Sequence, residues 1–171
     1  ALRLPALSFA ETIADIFPDP NVARYVRDEI GAISVDDEVT QDQLDRIWVF
    51  GNFDGYGEIK DISGVSRLGG VSMIRLSCVW GSDVFIETLP DELFAMENVT
   101  SLDFHYLPDL KNIQSEIGNM QNLLMISIED CGIASLPDTI CNLTNLTTLD
   151  ISGCPITKLN IYETGEYIWQ L

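Results

Sequence analysis

Leu123-Leu-Met-Ile126-Ser-Ile128-Glu-Asp-Cys131-Gly-Ile133-Ala-Ser-Leu136-Pro137 is followed, after one short connection, by a near copy of itself. That copy is Leu146-Thr-Thr-Leu149-Asp-Ile151-Ser-Gly-Cys154-Pro-Ile156-Thr-Lys-Leu159. Every apolar position recurs, and Cys131 recurs as Cys154. Between the copies, Ile140 and Leu143 repeat Ile117 and Met120. One step upstream, Val99, Leu102, Phe104 and Leu107 precede Leu123, Ile126, Ile128 and Cys131 in the same spacing. A further step back, Val71, Ile74, Leu76 and Val79 precede that set by a longer interval, so their unit carries an insertion near Trp80–Phe85. A degenerate first unit runs through Leu44, Ile47, Ile59, Ile62, Val65 and Leu68.

The core of each unit alternates with period two, which predicts a short strand with one buried face. One unit cannot bury that face alone, so units must stack and the ends must be capped. The pattern L-x-x-L-x-L-x-x-N/C-x-L resembles the leucine-rich-repeat family over about residues 44–159. The resemblance implies an α/β solenoid: an arc of short parallel concave strands behind an N-terminal helical cap. The small residue at the Asn/Cys position is expected to turn inward and bond backbone amides where the strand ends. Val79 and Leu107 have no donor there.

Residues 1–46 do not repeat and read as helical. Ser8-x-x-Glu11 is a capping box ahead of Thr12–Ile16, and Thr40-x-x-Gln43 is another. Asp19-Pro20 sets an N-cap before proline, Gly31 follows Ile30 as a stop, and Val22, Ala23, Val26 and Ile30 mark one apolar face. Phe17–Gly31 followed by Val39–Leu44 is similar to the helical caps of internalin-type bacterial surface proteins. That resemblance implies a cap sealing the first coil and a secreted or cell-surface setting. The LPxxIxxLxxL step instead resembles the intracellular signalling class of repeats, which implies a cytoplasmic adaptor as the alternative. The organisation expected is 1–46 cap, 47–159 about five coils, and 160–171 a C-terminal strand, hairpin or truncated end, all in one structural domain. The chain starts at Ala1, which points to removal of something upstream.

Acids outnumber bases 27 to 9, for a net charge of −18. The excess is spread along the chain, with 10 acids against 4 bases in residues 1–46, 8 against 3 in 47–99 and 9 against 2 in 100–171. Such a field repels phosphate backbones and anionic lipid, which argues against nucleic acid and direct membrane insertion. The partner expected is a protein, and a monomer is favoured unless an uncapped C-terminal end pairs.

Solvent-facing positions between inward leucines line the concave face. They are Arg75, Ser77, Asp103, His105, Tyr106, Ser127, Glu129, Asp150 and Ser152, flanked by Met73, Ser101, Met125 and Thr148. Tyr106 leads this set, since aromatic side chains are enriched among interface hot spots. Trp80 on the insertion is either a rim contact or folds back on Phe85 to fill the wider coil, while Trp48 and Trp169 are assigned to packing at the ends. His105 is the sole histidine. One imidazole with carboxylates is not a zinc ligand set, and no nucleophile has a clear partner, so no catalytic residue, metal or cofactor is expected. The sequons at Asn98, Asn142 and Asn145 coincide largely with the repeat consensus, and Cys131 and Cys154 on adjacent coils read as buried, reduced ladder thiols, with a disulfide between them as the alternative.

Overall fold

The computed structural model describes residues 11–78, 83–157 and the backbone of residues 168–170. Three helices come first: α1 (Ile13–Ile16), α2 (Pro20–Ile30) and α3 (Gln41–Leu44). Eight strands follow: β1 (Val49–Phe50), β2 (Glu58–Ile59), β3 (Met73–Ser77), β4 (Asp83–Val84), β5 (Ser101–His105), β6 (Met125–Glu129), β7 (Thr148–Asp150) and β8 (Ile168–Gln170). Short 3-10 turns at Val65–Arg67, Asp91–Ala95, Ser115–Asn119 and Asp138–Asn142 carry the chain round the opposite side. Six strands form one parallel sheet in the order β1-β3-β5-β6-β7-β8. β8 pairs with β7 in the same parallel sense as consecutive coils do. The turn of a hairpin expected within 160–171 lies outside the described residues.

The register places equivalent residues side by side. Ile74, Leu102, Ile126 and Leu149 form one rung, and Leu76, Phe104 and Ile128 another, all at most 2% exposed. Each side chain therefore packs on its counterparts in neighbouring coils, and truncation to alanine in such a core costs about 2–5 kcal/mol. The unit that starts at Val71 is longer because it makes a second strand: β4 pairs in parallel with β2, burying Val84 and Ile86. Trp80 lies outside the described residues.

At the downstream ends of the strands, Cys131 Sγ–H donates to the Glu129 and Phe104 carbonyls at 3.4 and 3.6 Å, and Cys154 Sγ–H to Ile128 O at 3.2 Å. The thiols thus give to carbonyls as well as taking amide N–H groups. A second ladder, unforeseen, runs along the upstream ends. Asn98, Asn122 and Asn145 each donate Nδ2–H to the preceding coil, at Gly69 O, Glu97 O and Gln121 O over 2.5 to 2.8 Å. Two of the sequon asparagines are thereby engaged in holding coils together.

The cap follows its signals with one correction. Thr12, not Ser8, caps α1, in a reciprocal box with Asp15; Glu11 instead pairs with Arg67 at 2.8 Å. The Thr40–Gln43 box opens α3 as expected. In α2, Asp19 is the N-cap, Pro20 opens the helix and Gly31 closes it at φ 72°. Asp19 has a second duty. Its Oδ1 accepts from Asn21 and Val22 N–H at 2.9 and 3.3 Å, while Oδ2 accepts from Lys60 and Asp61 N–H at 3.0 and 3.3 Å. One carboxylate, 8% exposed, thus ties the cap helix to the first coil. Tyr25 adds to this, donating to Val49 O at 2.9 Å and packing edge-on to Phe50 and Phe53.

Asp19→Ala strips acceptors from four backbone N–H groups at once. It should lower unfolding stability by about 3 kcal/mol or more, read by urea titration; a loss no greater than that of an ordinary N-cap would contradict the second role.

Candidate binding face

Strand alternation sends Leu102 and Phe104 into the core and Ser101, Asp103 and His105 to the concave side. The register then assembles the polar residues across strands: Arg75, Asp103, Ser127 and Asp150 share one rung, and Ser77, His105 and Glu129 another. They form a connected network. Arg75 Nε–H donates to Asp103 Oδ2 at 2.7 Å, and the other Asp103 oxygen meets His105 Nε2. His105 Nδ1 lies 3.6 Å from Glu129 Oε2, while Glu129 Oε1 accepts from the Ser127 hydroxyl at 3.0 Å. Both imidazole nitrogens thus face carboxylates; an imidazolium donates to both, a neutral ring to one. Asp150 stands apart, accepting from Ser152 N–H at 2.9 Å.

This arrangement corrects the expectation that all these side chains project into solvent. Asp103 and Ser127 are buried, at 7% and 8% exposure, beneath the longer arms around them. Arg75 crosses from the neighbouring strand, which covers Asp103 and leaves Arg75 as the exposed surface. Among the described concave residues, Arg75 is the sole Lys or Arg. Gly51 leaves room beside it: a Cβ there would lie 2.0 Å from the Arg75 carbonyl, and its φ of 114° suits glycine alone.

Tyr106 follows the strand at φ 56° with its ring half exposed. Asp130 and Gly153 take the same left-handed conformation at the equivalent step of the next two coils, at φ 52° and 69°. Asp and Gly tolerate this backbone; an aromatic residue does so at a cost of about 1–2 kcal/mol.

Trp48 does not pack into the cap. It is 71% exposed, just ahead of β1, and beside it Val49 is 42% exposed. Val49 pairs with Met73, and the same rung continues through Ser101 and Met125. Val49, Met73 and Met125 therefore place apolar side chains on either side of Ser101 along the upstream edge of the sheet. The sequence signal was there, in a Trp-Val pair at the first position of a degenerate repeat, but the degeneracy hid its register. Trp169's side chain lies outside the described residues. On the other side, a cavity of about 540 Å³ between two 3-10 turns, lined by Phe94, Glu97, Glu116 and Asn119 among others, touches none of the concave residues.

With this geometry in hand, likenesses to known proteins are informative. Residues 3–45 match the family model Internalin_N, the N-terminal segment of bacterial adhesion/invasion proteins. An internalin (inlF) from Listeria monocytogenes superposes over 89% of this chain and 48% of its own, at 20% identity and a TM-score of 0.62. The chain has the leucine-rich-repeat solenoid fold, with an N-terminal segment similar to that of internalins. The functional domain of InlJ from the same organism, described as including a cysteine ladder, matches over 93% of this chain and 37% of its own, at 20% identity and a TM-score of 0.63. A secreted internalin-like protein, also from L. monocytogenes, matches over 87% of this chain and 60% of its own, at 20% identity and a TM-score of 0.56. The chain thus spans less than two thirds of each of these structures, and identities this low speak to the fold. No curated protein matches the chain in sequence.

No disulfide joins the four cysteines of this solenoid. Burial pushes the Cys131 thiol from its ordinary 9.0 to about 11, against the Leu107 N–H that favours the thiolate, with Cys154 nearby pushing in the same direction as burial. Burial raises Cys154 as well. The unfolded chain therefore loses the Cys131 proton first, so its contribution to stability is whole below about pH 9 and declines as pH rises toward about 11. Cys131 should resist a thiol-directed reagent at pH 8 until the chain unfolds; labelling at the rate of an exposed cysteine would contradict the buried ladder.

Proposed function

We propose that this chain is a non-catalytic recognition module of a secreted or surface-attached bacterial protein, and that it binds a protein partner through its concave sheet. The observation that carries this reading is Tyr106. A bulky residue holds a left-handed backbone that glycine would occupy without strain, and its half-exposed side chain directly follows His105 of the Arg75–Asp103–His105–Glu129 network. Strain retained at an exposed aromatic favours a use for the side chain. The site residues proposed are Arg75, Ser77, His105, Tyr106, Glu129, Asp150 and Ser152 at the surface, with Asp103 and Ser127 supporting them from below. Trp48 and Val49 join them as apolar contacts.

The net charge of −18 favours a partner with a basic surface. The internalin-type cap and the secreted internalin-like relative support the extracellular setting. The free thiols favour a reducing compartment and hence the cytoplasmic adaptor, yet a cysteine ladder also occurs in the internalin InlJ. Among the described residues no cluster of three or more His, Cys, Asp or Glu could hold a metal. No helix among them is long and apolar enough to cross a membrane.

Tyr106→Gly separates binding from stability. It should raise unfolding stability by up to about 1 kcal/mol through relief of the left-handed strain. In affinity capture from host or cell-envelope extracts, the same variant should lose at least about tenfold of a protein held by the wild type, as a hot-spot truncation does. A Glu129→Lys, Asp150→Lys variant should lose it too. Capture indifferent to both changes would move the site off the concave face.

A further inference from the structure

One polar atom on the concave face has no use within the folded chain. Ser101 is 5% exposed, and its hydroxyl has no hydrogen-bond partner. Buried hydroxyls are nearly always bonded, because an unmade bond in a dry site costs stability, so an orphan calls for an explanation outside the chain. Its surroundings are specific. Met73 and Met125 flank Ser101 on the two neighbouring strands. Asp103, two residues along the same face and about 6.6 Å away by strand rise, lies at one end. Arg75 leans over from β3, with Nε–H on Asp103 and Nη2–H 3.8 Å from the Met73 sulfur. The covered hydroxyl thus lies between two methionine-bearing strands, with a paired cation and carboxylate two residues along the sheet.

Charge selects the occupant. An ammonium or guanidinium brought to this hydroxyl meets Arg75, and a carboxylate meets Asp103 within a strongly acidic protein. A neutral dipole meets neither objection. An amide matches both ends: its oxygen accepts from the Ser101 hydroxyl and from guanidinium N–H groups, and its N–H donates to Asp103, whose two oxygens have lone pairs beyond the bonds they already accept. We propose that Ser101 is the floor of a subsite that takes an amide group of the protein partner when the flexible Met73 and Met125 side chains shift to admit it and pack against the carbons that carry it. This rests on the concave-face reading above and adds to it the chemistry of one contact. The amide comes from an Asn or Gln side chain or from an exposed peptide bond, and these two sources differ in their alkyl substitution.

Four small probes test the proposal on the intact chain: propionamide for the side-chain source, N-methylacetamide for the peptide bond, and propionate and propylammonium as charged controls. Each is titrated while the methyl resonances of Met73 and Met125 are followed by NMR. One or both amides should shift the two signals saturably, with a dissociation constant on the order of 10 mM, as befits so few atoms. The ions should not do so. The amide that binds identifies the source. Ser101→Ala should weaken this binding at least about fivefold while leaving the thermal midpoint unchanged or raised, because no internal bond is lost. Ions as effective as amides, amide binding unchanged in Ser101→Ala, no saturable shift with any probe, or a lowered midpoint in the variant would each overturn it. The capture experiment with the Tyr106 and Glu129/Asp150 variants reads the face as a whole, so the subsite can fail while that reading stands.

Discussion

No single coil of this chain can bury its own apolar row, and every other feature follows from how coils solve that problem together. Parallel pairing in strict register sets Ile74, Leu102, Ile126 and Leu149 against one another, and the core becomes continuous only because the rungs align. The same register that aligns the inward side chains also aligns the outward ones. Arg75 meets Asp103, and His105 meets Glu129, because the strands that carry them cannot slip without turning the core out to water. The concave face is thus preorganised by the core behind it, and its side chains need little further ordering on contact.

A stack that begins must also end. At the upstream side the exposed edge of the first coil is closed by α2, whose docking is fastened by one carboxylate serving four backbone amides. Tyr25 is fixed in the same joint; burial, then the nearby Glu29 carboxylate, push its phenol up, so it stays neutral and donates to Val49 O. β1 is short, and Gly51 lies too close to the Arg75 carbonyl for any side chain. The first coil is therefore both the docking site of the cap and the place where the concave sheet opens, which is why Trp48 and Val49 are left exposed there.

Legibility in the sequence followed the strength of the repeat. Where the spacing is regular, inward rungs, strand positions and the cysteine ladder can be read directly from Leu123 to Ile156. Helix ends carrying their own chemistry, such as Asp19-Pro20 and Gly31, are equally plain. What escapes is whatever depends on a neighbour distant along the chain. The burial of Asp103 is caused by an arginine on another strand, the second role of Asp19 by amides at Lys60 and Asp61, and the asparagine ladder by carbonyls one coil back. In the first coil the repeat is too degenerate to fix register, so Trp48 reads as packing. Left-handed backbone at Tyr106 has no local signal at all; it becomes intelligible only beside Asp130 and Gly153.

The central claim is that the concave side, with Tyr106 at its edge, is where a partner protein sits. Photo-cross-linking tests it most directly, with a benzophenone side chain placed at position 106 in one preparation and at Glu116, exposed on the opposite side, in another. Both are mixed with the same extract and irradiated. The account predicts a covalent adduct to one discrete protein from position 106 and none from 116. An adduct formed from 116 alone, or equally from both, would contradict it.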